Sequence, residues 1–88
     1  MKIVEGFKMR RLGSDIIVVG EGLAQVNFNK MISLNASAAY LWESVDGKEF
    51  DVDDLVRLLL KKYEVAEDVA RRDAERLVQT WKDAGLVE

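Results

Sequence analysis

Histidine, cysteine and proline are absent from this sequence, and each absence removes a class of structure or function. Without cysteine and histidine there is no disulfide, no thiol nucleophile, no imidazole base and none of the commonest zinc ligands. No nucleophile–base pair can be assembled and no glycine-rich phosphate loop is present, so the chain reads as not an enzyme and as carrying no cofactor or metal. Without proline, every backbone N–H is available to a ladder or a helix. No apolar run approaches the ~20 residues needed to span a membrane; the longest is Leu58-Leu59-Leu60 with its neighbours. The first five residues place charge where a signal peptide needs an apolar stretch. These features predict a cytoplasmic chain with no membrane partner.

What is present suits one domain spanning residues 1–88. A chain of this size buries somewhat above ~60% of the surface its unfolded form exposes, so a core is affordable but stability is slender. Charge is uneven. Residues 1–34 carry five basic and three acidic side chains, whereas residues 35–88 carry eight and thirteen. The acidic half argues against nucleic acid as a partner, because phosphate binding draws its affinity from lysine and arginine.

The first third alternates. Phe7 and Met9 face one way and Lys8 and Arg10 the other, the period of a half-buried strand. Gly13-Ser14-Asp15 is turn chemistry, and the β-branched run Ile16–Val19 predicts a second strand paired with the first as a hairpin. Gly20-Glu21-Gly22 ends it, and about Gly20–Gln25 is the least structured stretch. A third extended segment places Val26, Phe28, Ile32 and Leu34 on one face, with Asn27, Asn29, Met31 and Ser33 on the other.

The period then becomes helical. Asn35 suits the N-cap of a helix over Ala36 to about Val45, stopped by Asp46-Gly47, with Ala39, Leu41, Trp42 and Val45 available to the core. Asp51 caps a second helix with Asp54 at its third position, and Phe50 and Leu55 are spaced as a hydrophobic staple. Val52, Leu55, Val56, Leu59 and Tyr63 share one face of it. A third helix runs from about Glu67 to Ala84 with Ala70, Ala74, Leu77 and Trp81 as its apolar stripe. Gly85 fits its C′ position, with Leu86 folding back onto Trp81. Strands followed by helices, without βαβ alternation, predict an α+β fold whose helices pack on one face of a small antiparallel sheet.

The ordered set Ile32-Ser33-Leu34-Asn35, Ala38-Ala39-Tyr40-Leu41-Trp42, Asp46-Gly47, Phe50-Asp51 with Leu55, Tyr63, Asp73 and Gly85-Leu86 resembles the PqqD-like family, also described as the RiPP precursor peptide recognition element. The resemblance runs from Phe7 to Val87; no single motif is specific, and the ordered set carries it. It implies a winged-helix-like fold, a three-stranded antiparallel sheet followed by three helices. It also implies a non-catalytic adaptor that binds the leader segment of a ribosomally made precursor peptide and presents it to a modifying enzyme, radical SAM or another. In the family the leader adds as a strand beside the third strand, in a cleft against the third helix. Ala36 departs from the polar residue usual after the asparagine, and the loop before the third strand is long.

Peptide capture also has a physical rationale of its own, since an exposed strand edge offers unpaired backbone groups that any extended chain can satisfy. Lys30, Met31, Ile32, Ser33 and Leu34 are the candidate docking strand. Ile32 and Leu34 read first as core, which leaves binding to the backbone and to Met31 and Ser33. Val69, Arg72, Asp73 and Arg76 are candidates for the cleft wall on the third helix, against the simpler reading of a solvated charged face. Trp42 and Trp81 read as core anchors rather than ligand-stacking groups. Leu58 lies off the face of Leu55 and Leu59, and is either exposed as a contact for an enzyme or second copy or buried under the sheet or first helix. Asp51, Asp53 and Asp54 read as helix-start anions rather than metal ligands. An unfilled edge can also pair two copies as a homodimer. Two alternatives stand beside the adaptor: a winged-helix nucleic-acid binder, kept alive by Arg71 and Arg72, and a protein–protein interaction domain without a leader peptide.

Overall fold

Strand β1 (Phe7–Leu12) turns through Gly13 and Ser14 into β2 (Asp15–Gly20) in the computed structural model, which describes residues 1–20 and 32–88. Gly13 adopts φ +61°, a conformation that a side chain disfavours, and so allows a loop of only two residues. Strand β3 (Ile32–Leu34) pairs antiparallel with β2, giving the sheet order β1-β2-β3. The expectations for Val26, Phe28, Lys30, Met31 and most of Gly20–Gln25 lie outside the described residues. Phe7, Met9, Ile16, Val18, Ile32 and Leu34 turn one face of the sheet to the core. Ile17, on the other face, is buried without joining that core.

Helix α1 (Ala36–Val45) begins where the Asn35 side chain accepts the Ala38 N–H at 2.8 Å. Helix α2 (Val52–Lys62) begins with a complete capping box. The Asp51 carboxylate accepts the Asp54 N–H at 2.9 Å, and Asp54 accepts the Asp51 N–H at 3.0 Å. Phe50 and Leu55 on either side of that cap are both buried in the core. Helix α3 (Glu67–Asp83) packs on α2 and ends in a Schellman motif: Leu86 N–H donates to the Trp81 carbonyl and Gly85 N–H to that of Lys82. The core-facing residues of α3 are Ala70, Ala74, Val78 and Trp81. Leu77, expected in that stripe, is only partly buried, because it borders the open cleft described below. Small Ala70 and Ala74 let α3 approach closely, and each fully buried large side chain such as Leu55 or Leu86 contributes about 1.5–3 kcal/mol.

The two ends of the chain close the fold. Ile3 bridges Val87, and Lys2 and Glu88 exchange backbone hydrogen bonds of 2.9 Å in each direction. The amino group of Met1 donates to the Phe50 carbonyl at 2.7 Å. Among the described residues no helix is long and apolar enough to cross a membrane.

Candidate peptide-binding site

The direction in which β3 presents its backbone follows from the hairpin. A two-residue loop makes Leu12 and Asp15 a hydrogen-bonded pair, so Asp15, Ile17 and Val19 direct their N–H and C=O groups toward β1. Ile16 and Val18 direct theirs toward β3, where they pair with Leu34 and Ile32. Ser33, between these two, therefore points its N–H and C=O to the free side of the sheet. No other strand pairs with that side among the described residues.

A cleft of about 500 Å³ opens where β3 runs into α1. One wall is the start of α1, with Asn35, Ser37, Ala38 and Leu41; the other is α3, with Ala70, Asp73, Arg76, Leu77 and Thr80. Leu59 and Tyr63 of α2 and Val65 of the α2–α3 turn close one end. Residues 73, 76, 77 and 80 fall on one side of α3 because a helix advances about 100° per residue. The floor is apolar. Along the rim, Asp73 and Arg76 carry opposite charges and have no ion-pair partner among the described residues.

The candidates are thus distributed as follows. Asp73 and Arg76 line the cleft, and Ser33 presents an outward backbone group at the border beside it. Leu34 is buried in the core and Ile32 is packed against it. Val69 is 38% exposed on α3 without lining the cleft. Arg72 is exposed, and its helical position turns it away from the stripe of Asp73 and Thr80. Lys30 and Met31 lie outside the described residues. Sequence reasoning missed Leu77, Thr80, Tyr63 and the start of α1 as cleft-forming residues.

The other charged candidates serve the fold. Arg71 donates to Asp53 at 2.9 Å, which ties α3 to the start of α2 and raises the guanidinium pKa. The hydrogen bond from the Asp51 backbone holds the Asp54 carboxyl below its ordinary range, with help from Arg57. Trp42 and Trp81 are buried core residues away from the cleft lining. Leu58 is half-buried against the core on the opposite flank of α2 from the cleft.

Over residues 11–87 the sequence matches the family described as coenzyme PQQ synthesis protein D (PqqD). No curated protein sequence matches the chain. Two solved structures share the fold. TbiB1 in complex with the TbiA(beta) leader peptide superposes with a TM-score of 0.77 at 17% identity, covering 100% of this chain and 95% of its own. Lasso peptide synthetase B1 complexed with the leader peptide gives 0.74 at 20% identity, covering 99% of this chain and 95% of its own.

Proposed function

Because this chain belongs to the coenzyme PQQ synthesis protein D (PqqD) family, we propose that it is a non-catalytic adaptor that captures the leader segment of a precursor peptide and hands it to a modifying enzyme. Residues 1–88 act as one peptide-binding domain. The leader adds as a fourth strand on the free side of β3 and seats its side chains in the cleft against α3.

The observation that carries this reading is the border of β3, unpaired among the described residues, beside a cleft with an apolar floor. Backbone pairing supplies affinity without regard to sequence, and a cleft with an apolar floor and a charged rim supplies selection. The two fold neighbours were each solved with a leader peptide, which supports the same use of the fold. The leader pairs with the outward Ser33 backbone and meets Asp73 and Arg76 in the cleft, while Ile32 and Leu34 hold the docking strand to β2 and the core. The enzyme it serves is a tailoring enzyme of the radical SAM or another class, met in the cytoplasm.

The test is titration of the isotopically labelled chain with the leader segment of a candidate precursor peptide. Amide shifts should concentrate at Ile32–Leu34 and along 70–80 of α3. Shifts confined elsewhere, or none at millimolar peptide, reject the reading.

A further inference from the structure

An adaptor that presents one molecule to another needs a second contact surface, and α2 has a second groove on its other flank. It has a volume of about 320 Å³ and shares no lining residue with the cleft. Val45 and Phe50 form its floor, and half-buried Leu58 covers one side.

The charged side chains that line it do not cancel. Asp54 is paired with Arg57, and Glu49 accepts from the Met1 amino group at 3.3 Å. Lys48 and Lys61 also line the groove, and neither has an ion-pair partner among the described residues. The unmatched charge is therefore positive, on a chain whose net charge is −3. An occupant that fits must bring an apolar side chain flanked by carboxylates.

We propose that this groove is the docking site for an acidic surface segment of the modifying enzyme, with an apolar residue seated on Phe50 and Leu58 and carboxylates reaching Lys48 and Lys61. This rests on the adaptor reading, in which the leader fills the opposite flank of α2, so both partners bind at once. A second copy of the chain fits less well. A two-fold contact through this groove brings two linings of the same net positive charge together.

The test uses the Lys48→Glu/Lys61→Glu variant, whose substitutions are at exposed positions. Its affinity for a candidate modifying enzyme and for a candidate precursor peptide is measured separately by calorimetry. Sedimentation reports self-association. Enzyme binding should weaken about tenfold or more at physiological salt, and the deficit should shrink as salt rises, while peptide affinity stays unchanged. Leu58→Ala should weaken enzyme binding without the salt dependence. Unchanged enzyme affinity in the lysine variant overturns the proposal, as does a lysine-dependent self-association with no effect on the enzyme. Because the peptide arm is separate, loss of enzyme docking in a protein that never binds the leader rejects the adaptor reading and leaves the groove assignment standing.

Discussion

The indole rings of Trp42 and Trp81 meet edge to face, with centroids 5.3 Å apart and planes at 86°. They join the first helix to the last, and Phe50 packs against Trp81 at 6.3 Å as a third ring. Among the described residues neither indole N–H has a hydrogen-bond partner, so the pair holds by area and ring electrostatics at the cost of two unsatisfied donors. Trp81→Ala should lose about 3–5 kcal/mol, a large part of the stability of a small domain. Trp81→Phe should lose less, because it keeps most of the packing and deletes a buried unpaired donor. Urea denaturation of both variants checks the ranking, and equal losses would contradict it.

The end of α3 makes a separable prediction. Gly85 has φ +74°, and a Cβ placed there meets no atom within 4 Å. The penalty for Gly85→Ala is therefore conformational only, about 1–2 kcal/mol. Leu86→Ala empties a fully buried site and should cost about 2–5 kcal/mol. Thermal melts should show the alanine at 86 lowering Tm well beyond the alanine at 85.

Acid should weaken the start of α2. The ordinary Asp54 value of 3.8 is lowered in the folded chain, first by the Asp51 backbone N–H and then by Arg57. A carboxyl lowered on folding contributes stability that is fully present above its unfolded value and is lost as pH falls through the folded one. The wild type should therefore exceed Asp54→Asn in urea midpoint at neutral pH, and the gap should close below about pH 4. A gap that stays constant down to pH 2 would show that the charge on Asp54 is not its source.

The cap at Asn35, the box at Asp51 and Asp54, and the turn at Gly85 were legible in the sequence because each is decided within a few residues. The α3 stripe was only half legible. Leu77 and Val78 are both apolar and adjacent, and which one is enclosed depends on how far α1 stands from α3. The bridge of Ile3 to Val87 left no local signal, since it joins the two ends of the chain. The outward backbone of Ser33 depends on loop parity. A turn read as Gly13-Ser14-Asp15 does not fix which β2 residues face β3, whereas the two-residue loop does. The cleft itself arises where three helices diverge, a relation that no periodicity encodes.

The cleft wall can be tested against its own helix. Leu77 borders the cleft and Arg72, on the same helix, does not. Leu77→Asn removes apolar contact area and should weaken leader binding by about 1–2 kcal/mol, roughly five- to thirtyfold. Arg72→Ala should leave affinity within twofold. Equal effects from both would mean that the peptide lies across the charged outer face of α3 instead.

The sharpest test of strand addition lies in one backbone atom. The Ser33 N–H points away from β2, so proline there removes a donor from the free border and none from the internal ladder. Ser33→Pro should keep the fold, because its neighbours Ile32 and Leu34 retain their pairs with Val18 and Ile16. It should weaken leader binding by about 0.5–1.5 kcal/mol for the lost hydrogen bond, and more if the ring also crowds the guest strand. Ser33→Ala changes only the exposed side chain and should bind like wild type. If alanine weakened binding as much as proline did, the serine hydroxyl rather than the backbone would be the contact, and the peptide would not be completing the sheet.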